Sequence, residues 1–175
     1  MATKKTSMFT LTERVTIPLG GGGTDVFATI DLGSYVDVGD RQAVQVLGAD
    51  LIFQGATPAA DVVGAIGNGH EVKLQMTDLN RGGLVFADDR ALVASGQLTI
   101  DSGGGVARDI DLYPDNFGKG SDDGRYVVND TLYITANATN AITDINVTVR
   151  VEAQIVSLTA KDFMAIAIQS TAADN

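Results

Sequence analysis

The chain contains no cysteine and no tryptophan, and it has a single histidine, His70. Without cysteine there is no disulfide, no thiolate metal site and no cysteine nucleophile, which excludes the small disulfide-stapled secreted scaffolds. One histidine excludes a multi-histidine metal site within one chain, and a Ser-His-Asp arrangement would have to use His70 itself. No serine sits in the glycine elbow between strand and helix that presents a nucleophile. His70, at the edge of an expected strand, reads as a solvated or hydrogen-bonded surface residue. Basic residues are also scarce: 12 Lys and Arg against 22 Asp and Glu leave a formal charge of −10. Such a chain repels a phosphate backbone unless a basic patch is assembled, and Lys4-Lys5 is the only adjacent basic pair, so nucleic acid is not an expected partner. Long apolar runs are missing too. Phe163 to Ile168 is only about a third of the roughly 20 residues that a spanning helix needs, so no membrane span is expected. The start, Met1 to Lys5 followed by the alternating, charged Met8 to Arg14, lacks the unbroken apolar stretch of an export signal.

What is present describes a folded β protein. The 175 residues suit one domain, 1–175, and 45% hydrophobic against 19% charged residues is a globular balance. Only Glu13, Glu71 and Glu152 are glutamate, the other acids being aspartate, a turn residue disfavoured in helix and strand interiors, so acidity here marks loops. The same acidity fits a salty habitat or a need for solubility at high concentration. Short β-branched runs separated by Gly, Asp and Asn clusters predict strands over Phe9 to Ile17, Asp25 to Asp31, Ala43 to Gln54, Glu71 to Asp78, Ala91 to Asp101, Val106 to Tyr113, Thr131 to Ala136 and Asn146 to Ser157. The last of these alternates cleanly, with Val147, Val149, Val151, Ala153 and Ile155 on one face. Gly48 inside the third suggests a bulge or a bend at which the strand passes from one sheet to another. Thr159, with Asp162 three positions on, predicts a capped terminal helix from about Ala160 to Gln169, with Phe163, Met164, Ile166, Ala167 and Ile168 as one apolar flank. Residues 1–8 then form an N-terminal arm and 158–175 a C-terminal helix and tail. The connections are too short for helical crossovers and no internal repeat is evident. About eight antiparallel strands therefore point to an all-β, single jelly-roll or other Greek-key sandwich with a short C-terminal helix.

The motifs that invite a chemical reading are weak. Gly20-Gly21-Gly22-Gly23-Thr24 offers bare backbone N–H groups, but a phosphate loop also needs a lysine and a following helix, so a flexible hairpin or subunit-contact loop is expected. Gly67 and Gly69 lack the remainder of a dinucleotide fingerprint and read as a turn. Asp109, Asp111, Asp115, Asn116, Asp122 and Asp123 supply oxygen ligands of the kind that suits Ca²⁺, but Tyr113 stands where an EF-hand loop places its third ligand, and a solvated acidic loop is the plainer reading. A glycosidase carboxylate pair drawn from the same residues has no more support than in any Asp-rich sandwich. Asn129, Asn137 and Asn146 each begin an Asn-x-Thr triplet, which matters only if the chain meets a glycosylating machinery. No catalytic set, cofactor motif or resident metal site is expected.

Ile30-Asp31-Leu32-Gly33-Ser34-Tyr35-Val36-Asp37-Val38-Gly39-Asp40-Arg41-Gln42-Ala43-Val44-Gln45-Val46 and Val156 to Gln169 resemble segments of viral coat proteins. The resemblance is to the single-jelly-roll major capsid proteins of tailless icosahedral viruses with an internal membrane, the sphaerolipovirus-like viruses of archaea and thermophilic bacteria. It implies an upright jelly roll whose strands stand roughly perpendicular to the shell. Such a subunit is an oligomer that joins a second, related capsid protein in pseudo-hexameric capsomers, is located in the virion after assembly in the host cytoplasm, and lies near an internal membrane without spanning it. Subunit contacts are then expected at Gly20, Gly21, Gly22, Gly23 and Thr24, from Tyr35 to Arg41, and at Phe163 and Met164. Two readings from other classes stand beside it: a surface or extracellular β-sandwich that binds Ca²⁺ or carbohydrate, and a small hydrolase on a sandwich.

Overall fold

The computed structural model describes residues 3–112 and 124–171. In chain order these form β1 (Thr3–Lys4), β2 (Phe9–Ile17), β3 (Val26–Asp31), β4 (Gln42–Gln54), α1 (Val62–Ile66), β5 (Glu71–Thr77), β6 (Leu92–Ile100), β7 (Val106–Leu112), β8 (Arg125–Val127), β9 (Thr131–Ala138), β10 (Ile145–Ser157) and α2 (Ala160–Thr171). All pairings between strands are antiparallel, in two sheets. In the first, β10 is central, with β4 and then β8 on one side and β1 and β2 end to end on the other. The second runs β3-β9-β5-β6-β7.

The period-2 pattern of β10 explains how the sheets meet. Val147, Val149, Val151 and Ala153 are buried, while Arg150 and Glu152 between them are exposed. The buried set joins Ile17 and Val15 of β2 and Val44, Val46 and Leu51 of β4. From the second sheet come Ile30, Leu132, Ile134, Val72, Leu74 and Met76, completing one apolar layer between the sheets. This is an all-β sandwich with a hydrophobic interior and two short helices outside it.

The bulge anticipated at Gly48 is present. Glu152 stands opposite Gly48 and Ala153 opposite Val46, which leaves Leu47 as the extra residue. The strand does not change sheets there, however, because β4 stays beside β10 from Gln42 to Gln54. The inserted residue resets the side-chain parity: Val44 and Val46 point inward before it, Ala49 and Leu51 after it. Without it, an uninterrupted alternation would turn Asp50 into the core.

The helix expected from residue 160 covers the outer face of the first sheet at the far end of β10. There the alternation of β10 gives way, since Val156 is buried on the opposite face to Val151 and Ile155 is only half-buried. Val156 belongs to a second apolar cluster with Ala43, Val128, Leu158 and Phe163, flanked by Tyr126, Ile166 and Ala167. The expected N-cap forms: the backbone N–H of Asp162 donates to Thr159 Oγ1, and the Thr159 hydroxyl donates to Asp162 Oδ2 at 2.7 Å. The N-terminal arm is tied down, with Thr3 and Lys4 paired to Ser157 and Val156 and Lys5 N–H donating to the Ile155 carbonyl.

Candidate interaction surfaces

At one end of the sandwich lie the β2–β3, β4–β5, β6–β7 and β9–β10 connections. Gly20 to Thr24 joins β2 in one sheet to β3 in the other, so it is a crossover between sheets and not a hairpin. The N–H groups of Gly20 and Gly23 donate to the carbonyls of Ala141 and Ala138, and those of Gly21 and Thr24 to Pro18 and Gly21. Each glycine answers a requirement inside the chain. Gly20 and Gly23 have φ of 73° and 78°; a Cβ on Gly21 would stand 2.8 Å from the Pro18 carbonyl oxygen, and one on Gly22 would stand 2.9 Å from Asn140 Cα. The loop therefore holds the β2 and β9 ends together, and these amides do not form an anion cradle. The neighbouring β9–β10 connection is fixed in turn: Ile142 N–H donates to the Ala65 carbonyl, and Asn140 Nδ2 to that of Ile66. Gly67, which caps α1, and Gly69 form the expected turn, with φ of 89° and 77°.

The opposite end gathers the β3–β4 connection and α2. Tyr35 stacks on Phe9 of β2, ring centroids 5.1 Å apart, and packs against the core as a half-buried residue. Arg41 is exposed and has φ of 52°, the only positive value among the described non-glycine residues. Its carbonyl accepts the Leu158 N–H, so this turn is a seat for the start of the helix. Phe163 is buried in the seam beneath α2. Met164 and Ile168, one turn apart, are 59% and 61% exposed on the other side of the helix. The apolar flank read as continuous is thus divided: Phe163, Ile166 and Ala167 dock, while Met164 and Ile168 face outward.

A buried ion pair joins the sheets near this end. Arg125 Nη2 of β8 donates to Asp78 Oδ2 at 2.9 Å, the side chains being 10% and 0% exposed. Asn129 Nδ2 donates to the Asp78 carbonyl, and Asp78 N–H to that of Ala91, so Asp78 anchors both β8 and the long β5–β6 connection. No signal in the sequence distinguishes Asp78 from the loop aspartates around it.

That connection folds over the outer face of the second sheet. Gln75 holds it by exchanging two hydrogen bonds with the backbone of Val85, and Arg81 bonds to Asp89 within it. Between it and the strands β3 and β9 is a cleft of about 330 Å³ lined by Phe27, Thr29, Tyr133, Thr135, Arg81 and Gly82. Phe27 is 57% exposed and Phe86, on the connection itself, 87%.

The outer face of the first sheet carries the remaining arrangement of charge. In register across β2, β10 and β4 lie Thr12, Arg150 and Asp50, then Thr10, Glu152 and Gly48, with Arg14 one row away on β2. Arg14, Asp50, Arg150 and Glu152 are exposed, and among the described residues none of their side chains forms an ion pair or hydrogen bond.

The other candidates come apart. His70 is half-buried beside β5, its Nδ1 3.3 Å from Thr139 Oγ1. The amides of Asn129, Asn137 and Asn146 donate to the Asp78 carbonyl, Asp25 Oδ1 and the Gly55 carbonyl, so all three are engaged within the fold. Asp109 and Asp111 stand on β7 opposite Gln97 and Ser95. Their side chains, and Asp115, Asn116, Asp122 and Asp123, lie outside the described residues. Among the described residues no group of three or more His, Asp or Glu converges as a metal site, and no helix is long and apolar enough to cross a membrane. The hydrogen bond from Thr159 holds the Asp162 carboxyl below the ordinary value of 3.8. Set against known protein families and curated proteins, the chain matches no family and no curated relative.

Proposed function

We propose that this chain is a structural coat subunit, a single jelly roll that assembles with copies of itself and with a related coat protein into the capsomers of an icosahedral shell. The strand order carries the reading. With β1 and β7 set aside as additions, the eight remaining strands run β2-β10-β4-β8 in one sheet and β3-β9-β5-β6 in the other. Each sheet interleaves early and late strands, as a chain does when a long hairpin is rolled into two nested Greek keys. The two stretches that resemble coat proteins also meet in space: Ala43 from the first packs with Val156, Leu158 and Phe163 from the second, and the Arg41 carbonyl accepts the Leu158 N–H. They form one structural unit at the end of the sandwich, which supports a common origin for both similarities. In this reading the chain performs no catalysis, its place is the virion, and its chemistry is that of subunit contact.

The test is assembly. Light scattering coupled to size exclusion, followed by electron microscopy, is expected to show concentration-dependent oligomers that close into defined capsomers when the partner coat protein is added. A strict monomer under all conditions, with and without that partner, overturns the proposal.

One observation favours a second reading, a binding module of the surface of a cell or the extracellular space. The cleft beside Phe27 and Tyr133 combines aromatic faces with Arg81, the composition of a small-ligand or sugar site. A melting-temperature rise with Ca²⁺ or a glycan, abolished for the glycan by Phe27→Ala, is the result that would favour it.

A further inference from the structure

We infer that the outer face of the first sheet is a docking surface for a second copy of this chain, in a two-fold contact held by reciprocal Arg150–Glu152 pairs. The inference deepens the self-assembling reading above and rests on it. The chain carries a formal charge of −10, so two copies repel at most approaches. On β2, β10 and β4 the outward charges are Arg14, Arg150, Asp50 and Glu152, which cancel, and the neighbours Thr10 and Thr12 are small and neutral. Two like-charged copies can meet here without net repulsion. The four charges are also exposed and lack ion-pair partners among the described residues, so a partner can supply them.

The register fixes the symmetry. A two-fold axis lying in the interface across the strands, level with Val151, reverses the order of residues along β10. It brings Arg150 of one copy to Glu152 of the other, twice, and sets Thr12 against Thr10. An axis along the strands would instead oppose Arg150 to Arg150 and is disfavoured. Three strands at about 4.8 Å spacing and the five residues of β10 from Val149 to Ala153, the part matched by β2 on both sides of Val151, give a flat patch of roughly 250 Å², against about 800 Å² per partner in a standard interface. The contact is therefore weak in isolation and gains its strength when repeated in a larger assembly.

The test uses the full chain and two charge reversals, Arg150→Glu and Glu152→Arg, in sedimentation velocity at low salt. The wild type is expected to dimerise reversibly, more weakly as salt rises from about 0.05 M to about 1 M. Each variant alone is expected to lose at least tenfold in affinity, with its folding unchanged by circular dichroism. A mixture of the two recovers wild-type association, since each then presents the charge that the other lacks. Wild-type association unchanged in both variants overturns this face while leaving self-assembly intact; a mixture that stays monomeric overturns the pairing. A wild type that is monomeric throughout overturns the contact, whereas the coat reading fails only if the partner coat protein also elicits no assembly.

Discussion

At Gly22 an added methyl group would stand 2.9 Å from Asn140 Cα and 3.0 Å from the Thr139 oxygen, both backbone atoms with little freedom to yield. Gly22→Ala is therefore expected to lower the stability of the isolated chain by about 1–3 kcal/mol, as overpacking does, measured by chemical denaturation. A loop whose glycines served only a neighbour would leave that stability unchanged. Sequence revealed the run of glycines but not the cause at Gly22, because the atoms that exclude a side chain there belong to Thr139 and Asn140, more than a hundred positions away. The Thr159–Asp162 pair, by contrast, was legible, since a capping box is local. Its pH dependence has a definite sign. The folded carboxyl titrates below its ordinary value of 3.8, so its contribution is present above that value and is lost as pH falls through the lowered one. Thr159→Ala is expected to return the Asp162 titration, followed by NMR, toward the ordinary value, and to make the start of α2 fray at higher pH than in the wild type.

Helix α2 is joined to the sandwich through Phe163, and its removal can be separated from that of its outward neighbour. Phe163→Ala is expected to cost about 3 kcal/mol and to raise hydrogen exchange throughout α2, because the side chain fills the seam with Val156 and Ala43. Met164→Ala, on the exposed side, is expected to stay within about 0.5 kcal/mol. The contiguous apolar residues 163–168 concealed this division; only a 3.6-residue period with a known docking side separates them. Long strands were readable to within a few residues, β2 at both ends, since half-burial imprints a period of two. Three elements were not. β1 and β8 are two and three residues long, too short to show a period, and are defined by their partners β10 and β4. α1 has a good cap in Asp61, whose carboxylate accepts the Val63 N–H, but its β-branched start reads locally as strand.

Across the whole molecule, the buried Arg125–Asp78 pair ties β8 in the first sheet to the β5–β6 connection of the second. Arg125→Ala removes the charged hydrogen bond to the buried Asp78 carboxylate, and a loss of about 1.5–3 kcal/mol in denaturant unfolding is expected. Neither the pair nor the strand order could be read from the chain, since local pattern records which residues face inward but not which strands become neighbours. The order has a consequence in time. β10 lies between β2 and β4, and β9 between β3 and β5, so the last two strands synthesised occupy interior positions of both sheets. A nascent chain that has produced β2 to β8 cannot close either sheet: the second waits for β9, complete at Ala138, and the first for β10, complete at Ser157. Closing such distant pairs is slow, on the order of milliseconds to seconds, and the unfinished edges invite the wrong neighbours. The residues from Thr131 onward therefore decide whether each copy folds or aggregates.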